Sequence, residues 1–188
     1  MIDNKDMCVR CGEGVINIRV GAIIIKDNKI LMVKNNRDDY YYSVGGRIQF
    51  GETAEQAVKR EVKEELGFEM EIDRLGFIKE AYFYGTVGSD QERLIYEPAF
   101  YFYMKVPEDF ELEEKTFLED GSPEYLEWIS IDTTKTIYPE FFKTELKNPS
   151  NEIKHMIADE RQDKSVAFEP FARSGLSTNR TPFSGAKV

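Results

Sequence analysis

The chain has 188 residues, 41% hydrophobic and 13% aromatic, which suits one folded domain with an appendage rather than a disordered chain. Its formal net charge is −10 and nothing in it is a basic stripe, so duplex nucleic acid is a poor candidate partner. Apolar runs such as 22–25 are far too short to span a bilayer, so no membrane partner is expected.

Met1–Gly14 is polar and lacks the apolar core of a signal peptide, so the expected location is the cytoplasm. It reads as a loosely attached lead-in. Cys8 and Cys11 form one CxxC pair, either half of a zinc site or two reduced surface thiols. With His155 the sole histidine, a zinc site would need carboxylates or a partner chain, and a small zinc-linked dimer is the lesser alternative. Val15–Lys26 alternates and is rich in β-branched residues; Asp27-Asn28 reads as a turn and Lys29–Lys34 as the second strand of a hairpin. Tyr40–Val44 is a third strand, ending at Gly45-Gly46, a pair that lets the backbone turn and approach a ligand closely.

Thr53–Leu66 is the clearest helix. Thr53 and Gln56 have capping-box spacing, and Gly67 stands where a left-handed cap closes it. Glu69–Tyr84 and Glu92–Val106 read as long strands joined by a turn around Gly85–Asp90. Tyr125–Ile131 reads as another strand and Thr133–Lys147 as a helical stretch containing Pro139. This order predicts an α/β fold, a mixed β-sheet between helices. From Asp159 to Val188 the composition turns to Arg, Asp, Ser, Thr, Gly and Pro. That stretch is expected as a tail, or as an arm whose Phe168, Phe171 and Phe183 dock on the core or on a second subunit of a homodimer. The expected division is 1–14, 15–158 and 159–188.

On a helical wheel Ala54, Val58, Val62 and Leu66 form the buried stripe, while Gln56, Lys59 and Lys63 fall on the wet side. Glu61, Glu64 and Glu65 crowd one flank of the stripe. Their like-charge pairs at i,i+3 and i,i+4 each cost roughly 0.2–0.5 kcal/mol, and a partly buried carboxylate without a partner costs more. A hard divalent cation such as Mg²⁺, which takes oxygen ligands, would gather them. Arg60 lies one turn before Glu64 and could hold one carboxylate in place. Glu52 could reach back over the cluster, and Gly46 could offer a backbone carbonyl. Alone, the run REVKEELG would read as a solvated face; Gly46 and Glu52 at fixed offsets change that.

Gly46, Glu52, Arg60, Glu61, Val62, Glu64, Glu65, Gly67 and Phe68 meet every specified position of the Nudix box, Gly-x5-Glu-x7-Arg-Glu-U-x-Glu-Glu-x-Gly-U, where U is bulky and apolar. The chain therefore resembles the Nudix (MutT-like) hydrolases over roughly residues 15–147. The resemblance implies an α/β/α sandwich and an enzyme that cleaves a nucleoside diphosphate linked to a group X, by attack of water on phosphorus, with Mg²⁺ or Mn²⁺. The substrate would be a small nucleotide: a nucleoside triphosphate, ADP-ribose or a nucleotide sugar. Glu61, Glu64, Glu65 and the Gly46 carbonyl would hold metal, Arg60 would orient a glutamate, and Glu52 would support the cluster. The base would be a box glutamate or an acid from outside it, with Glu119, Asp120 and Glu124 as candidates. The alternative is a catalytically silent Nudix-fold nucleotide-binding or regulatory module.

Glu97, flanked by apolar residues in a predicted strand, is expected at a pocket mouth or, given Pro98, on an edge or bulge. With Tyr42 and Arg47 it is a candidate substrate contact.

Overall fold

A computed structural model describes residues 5–35, 39–85, 90–112, 116–117 and 123–161. The chain forms strands β1 (Cys8–Cys11), β2 (Gly14–Asn17), β3 (Arg19–Ile23), β4 (Ile25–Lys26), β5 (Lys29–Asn35), β6 (Tyr41–Ser43) and β7 (Gly45–Arg47), then helix α1 (Ala54–Leu66). Strands β8 (Glu71–Tyr84), β9 (Leu94–Lys105), β10 (Thr116–Phe117), β11 (Pro123–Ser130) and β12 (Ile137–Tyr138) follow, then the one-turn helix α2 (Phe142–Glu145) and strand β13 (Lys154–Asp159). Among these residues no helix is long and apolar enough to cross a membrane.

The strands divide between two mixed sheets. One runs β1-β2-β9-β3-β7, with β8 paired to β9 and β13 to β8; the other runs β10-β11-β5-β6-β12, with β4 on β5. Strand alternation sorts their side chains into two cores. Val20 and Ala22, Leu31 and Val33, and Phe102 and Met104 pack with Ala57, Val58, Val62 and Leu66 of α1. Their chain neighbours Ile23, Ile30, Met32, Tyr101 and Tyr103 pack instead with Phe142 and Leu146 at α2. The two helices thus cover opposite faces, and the α/β/α layering expected from the sequence is present.

Helix α1 forms where its caps and its stripe agree. Thr53 accepts from the Gln56 N–H, the Gln56 side chain accepts from the Thr53 N–H, and Gly67 closes the helix at φ 69°. Burying Val58, Val62 and Leu66 is worth ~1.5–3 kcal/mol each, several times the repulsion among the glutamates. Ala57 joins the stripe, a position that counting every fourth residue omits.

Several expectations are corrected. The lead-in is not loose from Lys5 onward: β1 pairs with β2, and Asp6 bridges to Gln49. Val15–Lys26 is not one strand but three, broken at Ile18, whose N–H donates to the Met7 carbonyl at 3.0 Å, and again at Ile24. Gly45-Gly46 does not end in a turn but enters β7, paired with β3. Thr133–Lys147 is helical only over Phe142–Glu145. Pro139 lacks an N–H and restricts Tyr138, while the β-branched Thr133, Thr134 and Thr136 disfavour a helix before it. Strand β13 was not foreseen; it lies beside β8 in parallel, 75 or more residues away in sequence. The phenylalanines of the expected tail lie outside the described residues.

Candidate active site

The site is built where β7 enters the loop before α1. Strand β3 holds β7 with Val20 opposite Gly46 and Gly21 opposite Gly45. The face of Gly46 toward α1 is occupied by a carboxylate: a Cβ there would lie 2.1 Å from Glu61 Oε1 and 2.3 Å from its Cδ. Only glycine leaves room for that side chain. Gly45 is glycine for a different reason. Its φ is +143°, and a Cβ would stand 2.3 Å from the Val20 carbonyl oxygen.

Arg60 ties the parts together. Its Nε and Nη2 donate to the two oxygens of Glu52 at 2.7 and 2.9 Å, the bidentate geometry that makes arginine specific for carboxylates. Nη1 donates to Glu61 Oε1 at 2.9 Å and to Glu64 Oε2 at 3.1 Å. Nη2 also donates to the Arg47 carbonyl at 2.9 Å. Glu52 in turn accepts from the Gln49 N–H at 3.0 Å. Hydrogen bonding to Arg60 holds the Glu52 carboxyl below the usual glutamate range, and Glu52 holds the guanidinium well above its ordinary value.

The glutamates of α1 are not equivalent. Glu61 and Glu65 are buried, whereas the Glu64 side chain is 55% exposed. Glu65 accepts from the Gly45 N–H at a long 3.4 Å. Glu52, Glu61 and Glu64 against one guanidinium leave a formal charge of −2 around Arg60, and Glu65 adds a further carboxylate beside Gly45. Every donor here is an oxygen, and the surplus is negative, so the set fits a hard divalent cation. In this arrangement Arg60 is the cation that gathers Glu52, Glu61 and Glu64. Among the described residues no three His, Cys, Asp or Glu groups are already grouped as ligands.

Two of the remaining candidates, Glu97 and Arg47, are joined through Asn17, and the Arg47 carbonyl meets Arg60. Glu97 is neither at a pocket mouth nor on an edge: it is 1% exposed on β9, which is paired on both sides. Pro98 is tolerated there because β2 pairs with β9 only at Ile95 and Tyr96, and β3 only from Ala99 onward. Asn17 donates to Glu97 Oε2 at 2.6 Å and accepts from Arg47 Nε at 3.0 Å. Sequence reasoning missed Asn17 and the buried Arg19, although both share the inward phase of Val15. Tyr42 and Glu124, expected in separate roles, are brought together: the buried Tyr42 hydroxyl donates to the buried Glu124 carboxylate. Glu119 and Asp120 lie outside the described residues. His155 sits on β13 with its Nε2 2.7 Å from Glu80.

Cys8 and Cys11 lie three residues apart on β1, which puts their side chains on opposite faces and ~10 Å apart along the strand. One chain in this conformation cannot close them on a single ion. A surface cavity of about 220 Å³ is lined by Lys26, Asp27, Lys29, Phe110 and Trp128.

Fold and site together define an α/β/α protein whose loop and first helix present a knot of carboxylates. The NUDIX domain model matches residues 16–149, and the chain belongs to that family. A stretch of 53 residues is 45% identical to an ADP-ribose pyrophosphatase of Methanocaldococcus jannaschii, covering 27% of this chain and 31% of that one. The match therefore spans about a third of that relative's length. The MutT protein of Bacillus halodurans is similar in structure, with a TM-score of 0.56 at 17% identity over 76% of this chain and 89% of that one. The MutT protein of Methanosarcina mazei gives 0.50 at 20% identity over 75% of this chain and all of that one, 100%. These two likenesses speak to the fold.

Proposed function

We propose that the protein hydrolyses a phosphoanhydride in a nucleoside diphosphate linked to a second group, with Mg²⁺ or Mn²⁺. ADP-ribose is the first candidate substrate; nucleoside triphosphates and nucleotide sugars follow. The observation that carries this is the closed network Gly46–Glu61–Arg60–Glu52, in which glycine makes room for one buried carboxylate and arginine fixes another. The choice of ADP-ribose is supported by the stretch shared with an ADP-ribose pyrophosphatase.

Glu61, Glu64, Glu65 and the Gly46 carbonyl would hold the cation, which supplies charge neutralisation of the diphosphate and polarisation of a phosphoryl oxygen. The chain's own residues do the rest. Arg60 keeps Glu52 and Glu61 in fixed rotamers. Glu64 is the exposed member of the cluster and is the proposed proton acceptor from the attacking water. Glu124 is a weaker candidate for that role because it is buried against Tyr42. Arg47 is the proposed contact for a substrate phosphate, because it directly follows Gly46.

The test is product release from a panel of ADP-ribose, nucleoside triphosphates and nucleotide sugars, with and without Mg²⁺. Mg²⁺-dependent cleavage of at least one member is expected. No such cleavage of any member would leave a catalytically silent nucleotide-binding module instead.

A further inference from the structure

The loop from Arg47 to Glu52 has no helix or long strand of its own, yet seven of its backbone groups are held by hydrogen bonds. The Arg47 carbonyl accepts from Arg60. The Ile48 N–H donates to the Ile18 carbonyl at 3.0 Å, the Gln49 N–H to Glu52, and the Glu52 N–H to the Gln49 carbonyl at 3.0 Å. The two remaining bonds come from the start of the chain. Met7 N–H donates to the Ile48 carbonyl at 2.8 Å, and Phe50 N–H donates to the Lys5 carbonyl at 2.6 Å. These flank the antiparallel Asp6–Gln49 bridge, so Lys5–Met7 adds a short strand to the loop. The Asp6 carboxylate also lies 3.6 Å from Arg47 Nη1, and the Met7 side chain packs against the core under α1. This segment lies outside residues 16–149, the part matched by the family model.

We propose that Lys5–Met7 is a positioning segment of the active site. It acts through the loop, not on substrate. One end of that loop carries Gly46, whose α-carbon faces Glu61; the other carries Glu52, which Arg60 grips. Two hydrogen bonds from Lys5–Met7 fix the distance between them. Without the segment the Ile48 carbonyl and the Phe50 N–H lose their partners, the loop gains freedom, and the two halves of the carboxylate cluster lose register. The inference rests on the hydrolytic reading above for its activity readout, and on backbone geometry alone for its exchange readout.

The experiment compares full-length Met7→Pro with Met7→Leu. Proline removes the N–H given to Ile48; leucine keeps both the N–H and the packing. In Met7→Pro, amide exchange at Phe50 is expected to speed markedly. On the substrate identified by the panel, kcat is expected to fall ~10–100-fold with little change in KM, as for a misplacement of about 1 Å, and half-maximal activity is expected to need more Mg²⁺. Met7→Leu is expected to match wild type in all three. Should Met7→Pro fail to fold, the single variant Lys5→Gly keeps every backbone donor and acceptor and the Asp6 carboxylate beside Arg47, and loosens the segment. There Phe50 exchange is expected to rise ~2–5-fold, with kcat falling in parallel. A variant with faster exchange at Phe50 but wild-type kcat and Mg²⁺ dependence would overturn the proposal, as would exchange unchanged from wild type. If wild type itself cleaves nothing, the hydrolytic reading fails, and unchanged exchange would still refute the positioning role of Lys5–Met7 separately.

Discussion

Replacing Gly46 by alanine tests the site through one methyl group. The added Cβ would lie 2.1 Å from Glu61 Oε1 and 2.5 Å from Oε2, where ordinary contact begins at 3.4 Å. The carboxylate must therefore retreat by the difference between 3.4 and 2.1 Å, about 1.3 Å. It is buried and held by Arg60 Nη1 at 2.9 Å, so the retreat strains or breaks that charged hydrogen bond, worth ~1.5–3 kcal/mol. Backbone conformation is not at issue, since no positive φ is required at Gly46. The fold should survive with Tm lowered by several degrees, whereas a displacement of that size at a reacting site costs on the order of 10²-fold in kcat. Steady-state hydrolysis on the identified substrate, beside thermal unfolding of the same preparation, measures both. Gly46→Ala within threefold of wild-type kcat would show that the Glu61 carboxylate does not need this position.

Gly45→Ala should behave in the opposite way. Its Cβ meets the Val20 backbone oxygen at 2.3 Å and its φ of +143° is unsuited to alanine, so the loss should appear first in stability, at ~2 kcal/mol or more, by urea unfolding. Arg60→Lys removes the bidentate grip on Glu52 and should lower kcat ~10–100-fold, because a single ammonium cannot replace the fork. Glu52 also gives a pH dependence. Its native pKa is depressed, so its stabilisation is fully present above the ordinary value of 4.5 and is lost as pH falls through the native value. Wild type should therefore lose stability below pH 4.5 more steeply than Arg60→Gln, as seen in Tm measured between pH 3 and 6. Tyr42→Phe should cost ~1.5–3 kcal/mol, because the hydroxyl it deletes donates to a buried carboxylate; wild-type stability would refute that.

What could be read from the sequence follows from what spacing encodes. Thr53, Gln56, Gly67 and the Val58–Val62–Leu66 stripe are relations within one helix, and all are realised. The crowding of Glu61 and Glu65 beside the stripe was also legible, and both are buried. The exposure of Glu64 was not, because the wheel groups it with them. Relations between elements needed register, which a single sequence does not reveal. Asn17 meets Glu97 across 80 positions, and Tyr42 meets Glu124 across 82. Lys5 and Met7 reach loop residues more than forty positions on. Pro98 pointed to an edge because proline usually marks one; here it stands where β9 changes partner from β2 to β3.

The central claim is that the box glutamates support metal-dependent hydrolysis, and its most direct measurement is cleavage of ADP-ribose and the rest of the panel by wild type and Glu64→Gln, across a Mg²⁺ titration. The substitution keeps the size of an exposed side chain and removes its charge. Mg²⁺-dependent cleavage by wild type, lowered ~100-fold or more in Glu64→Gln, is expected. Cleavage independent of Mg²⁺, or Glu64→Gln activity within threefold of wild type, would contradict it.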